Sequence, residues 1–278
     1  NVVLAYPTAA GKSLAYQAPV LQAALEGATS LLLFPTKALA HDQLRRLRAM
    51  AQVLGVEGVF PYDGDTPSAT RRQARERGLV LLSNPDMLHY GLLPRHPDWA
   101  PFLARLRYVV LDELHAYRGV FGTRVALILR RLLRLARHSG ASPQVLAASA
   151  TIANAREHAE ALTGLPFEEL KAQVARTERE LLVLLPKPLD RRGERRRSPL
   201  LEAAYLARRL AEAGLKGLVF AGARKSAELI ARYAAHPLVR PYRAGYTARE
   251  RRRLEADLKE GRVRALVSTS ALALGVDI

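Results

Sequence analysis

The sequence predicts an α/β fold with parallel sheets, organised as two domains. Short apolar runs of strand length recur at residues 2–5, 31–34, 56–62, 79–83, 108–111 and 145–149. Between them lie stretches with helical spacing, such as Leu39, Leu44, Leu47, Met50 and Leu54, or Val125, Ile128, Leu129, Leu132 and Leu135. Strand, helix, strand repeated this often implies a parallel sheet with helices on both faces. The third observation is length: 278 residues exceed one average domain and fit two.

Gly164, Pro166, Pro186, Pro188 and an arginine-rich stretch at 190–199 interrupt the rhythm. The domain junction is expected at 165–180 and an exposed loop at 187–199. This gives a first domain at 1–170, a linker with a basic loop at 171–199, and a second domain at 200–278. The second restarts the pattern with a helix at 201–213, a strand at 217–220, a helix at 225–234, a strand at 239–242, a helix at 248–260 and a strand at 265–269. It stops at Ile278 where a further strand and helix are expected, so it reads as incomplete, with a free edge less stable than the first domain.

Composition narrows the function classes. The chain carries 43 Lys and Arg against 26 Asp and Glu, a formal charge of +17. Residues 1–170 hold 19 basic and 14 acidic side chains, whereas residues 171–278 hold 24 and 12. A positive field of this kind suits a phosphate backbone as partner; the plainer alternative is a solvated basic face. With no cysteine, disulfides, thiol catalysis and Cys-ligated zinc are excluded from this stretch, as expected of a reducing compartment. The apolar runs at 31–34 and 181–185 are too short to span a bilayer, so no membrane partner is expected. Asn1 opens into Val2, Val3 and Leu4 without a charged leader or cleavage site, which reads as an internal stretch of a protein that is not secreted.

Three strand ends carry the chemistry. The first run leads into Tyr6, Pro7, Thr8, Ala9, Ala10, Gly11, Lys12 and Ser13, then a helix. Such a loop turns backbone N–H groups onto phosphate oxygens, with Lys12 reaching the β and γ phosphates of ATP and the Ser13 hydroxyl binding Mg²⁺. Only Gly11 remains of the two glycines usual in this pattern. The run at 108–111 ends in Asp112, Glu113, Leu114 and His115. Asp112 is placed to hold Mg²⁺ through water and Glu113 to orient the attacking water. Taken alone, His115 is an ordinary surface or helix-start histidine. Ser149, Ala150 and Thr151 follow the run at 145–149; their meaning comes from their place third in the order.

Phosphate loop, acidic pair and hydroxyl pair in this order resemble superfamily 2 helicases of the DEAD/DEAH-box-like type, P-loop NTPases built on tandem RecA-like domains. Residues 7–13 resemble motif I, 34–40 motif Ia, 83–89 motif Ib, 112–115 motif II, 149–151 motif III, 218–225 motif IV and 267–278 motif V. The stretches at 62–67, 106–110, 117–122 and 244–246 are similar to the mitomycin repair factor A group and its fungal RecQ4-like relatives. The resemblance implies a DNA-dependent ATPase with 3′ to 5′ polarity acting in repair of cross-links and bulky lesions. It gives Thr8, Ala9, Ala10, Gly11, Lys12, Ser13, Gly275 and Asp277 to ATP, and Glu113, Lys12, Asp112 and His115 to hydrolysis. Ser13 and Asp112 go to Mg²⁺, and Ser149 and Thr151 to coupling. Thr36, Lys37, Asn84, Pro85, Asp86, Arg224 and Thr269 are implied to grip the sugar-phosphate strand of single-stranded or partly duplex DNA, through backbone and side-chain hydrogen bonds. The implied location is the cytoplasm, with the nucleoid in a prokaryote.

The adenine-reading segment, the arginine-finger motif and the cysteine-rich metal module of the group are not among the 278 residues. Because an arginine finger contributes about 10³ to 10⁵ in rate, this stretch is expected to bind MgATP and turn it over very slowly. An RNA-directed helicase remains open, since backbone grips do not exclude 2′-hydroxyls. So does a nucleic-acid binding module without motor activity, although intact Lys12, Asp112 and Glu113 oppose it. Arg71 and Arg72 read as a solvated helix face, Trp99 as core beside Phe102 and Leu103, and one or two of Arg251, Arg252 and Arg253 as facing nucleic acid.

Overall fold

A computed structural model describes residues 1–6, 11–149, 152–171, 180–190, 192, 195–243 and 245–269. Tertiary packing divides the chain into two units, Asn1–Thr177 and Glu178–Ile278.

The first unit alternates strands and helices: β1 (Val2–Ala5), α1 (Lys12–Leu25), β2 (Thr29–Leu33), α2 (Lys37–Val53), β3 (Val59–Tyr62), α3 (Ser68–Arg77), β4 (Val80–Ser83), a short α4 (Pro85–Met87), α5 (Ala100–Leu103), β5 (Leu106–Leu111), α6 (Gly119–His138), β6 (Gln144–Ser149), α7 (Ala155–Thr163) and β7 (Glu168–Lys171). The seven strands form one parallel sheet in the order β3-β4-β2-β5-β6-β1-β7. Strand side chains alternate between faces. On one face Val3, Leu31, Leu33, Leu81, Val109, Leu111 and Val145 pack with residues of α5, α6 and α7. Their neighbours Leu4, Leu32 and Val110 are equally buried, and α1 packs across β2, β4, β5 and β6. Trp99 is buried, with its ring 4.8 Å from Tyr62 and 5.8 Å from Phe102 in edge contacts, so it is core.

Parallel register brings the strand ends onto one edge. Leu33 aligns with Ser83 and with Leu111, Leu111 with Ala147, and Ala5 with Ser149. Tyr6, the acidic pair, Ser149, Thr36 and Asn84 therefore lie at the same edge of the sheet, where α/β proteins bind ligands.

Two elements depart from expectation. The run at 56–62 is a strand only from Val59, because Gly55 and Gly58 take left-handed φ values of 69° and 95° and break the extended chain before it. Strand β7 lies where the junction was expected, pairing with β1. Its sequence, Glu-Glu-Leu-Lys, shows no apolar alternation because it is an edge strand with three of its four residues exposed.

In the second unit, α8 (Pro199–Glu212), β8 (Gly217–Phe220), α9 (Arg224–Ala234), β9 (Val239–Tyr242), α10 (Ala248–Lys259) and β10 (Ala265–Ser268) build a parallel sheet in the order β8-β10-β9. Ala204, Ala207, Ala211, Ala227, Ile230 and Ala234 pack with Val239, Ala265 and Val267, while Tyr242, Leu258, Val263 and Leu266 form a second small cluster. Residues 181–185 are exposed and belong to no helix or strand. The basic loop beyond them is pinched by an antiparallel bridge between Pro188 and Arg196. No described helix is long and apolar enough to cross a membrane.

Candidate nucleotide site and nucleic-acid face

Gly11 holds a left-handed φ of 75° immediately before α1, and Lys12 and Ser13 are the first two residues of that 14-residue helix. A Cβ at Gly11 would meet nothing within 4 Å, so glycine is required here by backbone conformation and not by space. The free N–H groups and positive dipole end of α1 face the strand edge, as a phosphate site needs. Pro7, Thr8, Ala9 and Ala10 lie outside the described residues, as do Thr151, Gly275 and Asp277.

Asp112 follows β5 and is buried. Its Oδ2 accepts a hydrogen bond from the Tyr16 hydroxyl at 2.8 Å, and its Oδ1 one from the Glu113 backbone N–H at 2.9 Å. Burial, and then the adjacent Glu113 charge, push the Asp112 carboxyl up to about 6, against the hydrogen bonds from Tyr16 and Glu113 N–H and the field of Lys12. A buried carboxylate beside a second acid is a place where a cation is favoured. No cluster of three or more metal-binding side chains occurs among the described residues. One carboxylate and one hydroxyl fit Mg²⁺, which is held mainly by water and substrate phosphates.

Glu113 adopts φ 51° and ψ 47°, a left-handed conformation that costs a non-glycine residue energy. His115 Nδ1 lies 3.4 Å from Glu113 Oε2 and 3.4 Å from Ser149 Oγ. Burial, with Lys12 and Arg118 nearby, lowers the His115 pKa and favours the neutral ring. His115 is thus a junction between the acidic pair and the end of β6 rather than an ordinary surface histidine.

Thr36 and Asn84 are both helix caps: Thr36 Oγ1 accepts from Leu39 N at 3.4 Å, and Asn84 Oδ1 from Met87 N at 2.9 Å. Lys37, the first residue of α2, pairs with Asp65 at 2.9 Å. Pro85 is buried and Asp86 exposed in the first turn of α4. In the second unit, Phe220 and Ser268 are register partners, so Arg224, exposed at the start of α9, and Thr269, just after β10, follow adjacent strand ends.

Several participants escaped sequence reading. Asp63 is buried, accepting from Thr66 Oγ1 at 3.0 Å and Asp65 N at 2.8 Å, with His41 Nε2 2.7 Å from its other oxygen. Arg71 donates to the carbonyls of Asp63 and Gly64 at 2.9 and 3.0 Å. The expectation that Arg71 is solvated is therefore corrected: α3 begins just after this loop, and its first turn faces back onto it. Arg72 is exposed, 3.9 Å from Glu76. Of the arginine triplet, Arg253 is exposed and lies 3.9 Å from Asp257, Arg251 is half-buried, and the Arg252 side chain is outside the described set. The one available signal for Tyr16 was its place one helical turn after Lys12 and Ser13.

Comparison with known proteins agrees with this geometry. Residues 1–160 match the DEAD/DEAH box helicase family, and residues 200–278 the helicase conserved C-terminal domain. The uncharacterized ATP-dependent helicase YprA of Bacillus subtilis is 41% identical over 290 residues, and the ATP-dependent helicase HRQ1 of Saccharomyces cerevisiae 34% identical over 298 residues. Both alignments include the whole of this chain, which spans 39% and 28% of those proteins. A crystal structure of the DUF1998 helicase MrfA bound to DNA and AMPPNP superposes with a TM-score of 0.90 at 41% identity, covering all of this chain and 40% of that one. The helicase Lhr of Mycobacterium smegmatis, bound to single-stranded DNA and AMP-PNP, gives 0.76 at 29% identity, covering all of this chain and 38% of that one. With tandem RecA-like α/β units and these matches, the chain belongs to the DEAD/DEAH box helicase family.

Proposed function

We propose that this chain is the ATP-driven, strand-gripping part of a 3′ to 5′ DNA helicase or translocase that acts in DNA repair. The observation that carries the reading is the junction at His115, which joins Glu113 to Ser149 at the strand edge shared with Lys12, Thr36 and Asn84. It is supported by relatives whose solved structures hold DNA and a nucleotide analogue. Residues 1–170 act as the ATP-binding domain and 200–278 as part of the C-terminal domain, joined by 171–199, in a protein working beside DNA in the cytoplasm.

Each residue has a role in this reading. Gly11 lets the loop turn onto the phosphates, and Lys12 neutralises their charge. Ser13 and Asp112 would hold Mg²⁺, which when bound would supply charge neutralisation at the nucleotide phosphates. Glu113 orients and polarises the attacking water. His115, neutral and within reach of both carboxylate and hydroxyl, passes the state of the phosphate end to Ser149, while Thr151 continues that link. Gly275 and Asp277, outside the described residues, are assigned to ATP binding in this reading. Thr36 and Asn84 spend their side-chain oxygens as helix caps, so they present backbone groups to the strand; Lys37, Arg224 and Thr269 present side chains, and Pro85 and Asp86 shape the turn. Such grips hold phosphates without reading bases.

The 278 residues contain no arginine-finger motif, and their own turnover is slow. The test of polarity is strand separation by a longer form of the protein on duplexes carrying a 3′ or a 5′ single-stranded tail. Unwinding from the 3′ tail that is lost with Lys12→Ala is expected; unwinding from the 5′ tail, or of RNA duplexes alone, contradicts the reading.

A further inference from the structure

Tyr16 lies on α1, one turn after Ser13, and is 1% exposed. Filling space does not explain its hydroxyl, because a phenylalanine would fill the same volume and a buried hydroxyl without a partner is costly. The hydroxyl instead donates to Asp112 Oδ2 at 2.8 Å. The phenol therefore touches the carboxylate placed to hold the metal. Asp112 Oδ1 is already taken by the Glu113 N–H at 2.9 Å, so the Tyr16 bond fixes the second oxygen and with it the rotation of the carboxylate.

Behind the ring, Gln43 Oε1 on α2 stands 3.5 Å from the Tyr16 oxygen and is held at 2.9 Å by Gln17 Nε2. A phenol has one proton to give. The shorter contact assigns it to Asp112, and the Gln17–Gln43 pair walls the other side.

We propose that Tyr16 is a positioning residue for the metal end of the nucleotide site: its hydroxyl holds the Asp112 carboxylate in the orientation that receives Mg²⁺ with nucleotide. The inference rests on the nucleotide reading above. It assigns Tyr16 a role that neither polarity nor the nature of the nucleic acid affects.

The test is binding of a fluorescent ADP analogue to this chain, titrated with Mg²⁺ or with EDTA, for the parent and Tyr16→Phe. Losing a partner that orients a metal-binding group costs about 10-fold or more in metal affinity, so Tyr16→Phe should weaken Mg²⁺-dependent binding by about 10-fold. Metal-free binding should stay within about twofold of the parent, which also reports that the variant is folded. In an Asp112→Asn background the same change should have no further effect, because Tyr16 acts through that carboxylate. Equal loss with and without Mg²⁺, no loss at all, or a full effect in the Asp112→Asn background overturns the proposal. A parent chain that binds no nucleotide overturns the nucleotide reading itself, and does so in the control before any variant is compared.

Discussion

The His115 ring sits between two elements: its Nδ1 lies 3.4 Å from the Ser149 hydroxyl at the end of β6 and 3.4 Å from Glu113 beyond the end of β5. One side chain thus stands within 3.4 Å of both the acid that follows β5 and the hydroxyl that ends β6. Couplings of this kind are worth about 1–3 kcal/mol. Ser149→Ala should lower the stimulation of ATP hydrolysis by single-stranded DNA more than basal hydrolysis, and His115→Ala should do the same. The double variant should be no worse than the poorer single one, a non-additivity that steady-state rates with and without DNA measure directly. Additive losses would separate the two residues.

Gly122 provides a stability test close to the acidic pair. A Cβ there would lie 2.4 Å from the Tyr117 carbonyl oxygen and 2.7 Å from its carbon. Both are backbone atoms that cannot step aside without moving the turn after His115. Gly122→Ala should destabilise the first unit by about 1–3 kcal/mol, seen as a lower denaturant midpoint with unchanged slope. An unchanged midpoint would contradict the close packing of α6 on that turn.

Asp63 should make stability depend on acid. Burial raises its pKa, but the Asp65 N–H, His41 and Thr66 outweigh burial and hold the carboxyl below its usual range. A carboxyl depressed in the folded state stabilises above its unfolded pKa, and that stabilisation is lost as pH falls through the folded value. Asp63→Asn should therefore cost about 1–3 kcal/mol near neutral pH, a difference that shrinks as pH drops below about 4. Chemical denaturation at pH 7 and pH 3 checks it; a constant difference would mean that the carboxylate charge is not what holds the loop.

Most of the sheet was legible in the sequence, because strands buried on both faces read as continuous apolar runs. The run at 108–111 became β5, and the strands at 217–220 and 239–242 appear with the expected bounds. Strand β7 was hidden because an edge strand can be polar, and Glu168, Glu169 and Lys171 carry no apolar pattern. At the site, Lys12, Asp112, Glu113 and Ser149 announced themselves by standing at strand ends. Tyr16, His41 and Arg71 did not, since each gains its meaning from a partner distant in sequence or hidden in a loop: Asp112, Asp63 and the carbonyls of residues 63–64. The capping roles of Thr36 and Asn84 follow from residue type at a helix start, yet only the fold shows that their side-chain oxygens are occupied.

The Lys37–Asp65 pair, at 2.9 Å with both side chains exposed, stands where phosphate is proposed to bind. An exposed pair contributes only about 0–1 kcal/mol to folding. Asp65→Asn should leave stability nearly unchanged and strengthen single-stranded DNA binding by a few-fold, the gain vanishing in a Lys37→Ala background. Equilibrium binding at two salt concentrations reads this; an equal gain in both backgrounds would detach Asp65 from Lys37.

Glu113 is proposed to drive hydrolysis that a DNA strand stimulates. The direct measurement is the ATP hydrolysis rate of a form extended at both ends, without nucleic acid, with single-stranded DNA and with single-stranded RNA, beside Glu113→Gln. The expected result is strong stimulation by DNA, little by RNA, and loss of the stimulated rate in the variant with nucleotide binding retained. Stimulation by RNA alone, by neither strand, or undiminished in Glu113→Gln would contradict the claim.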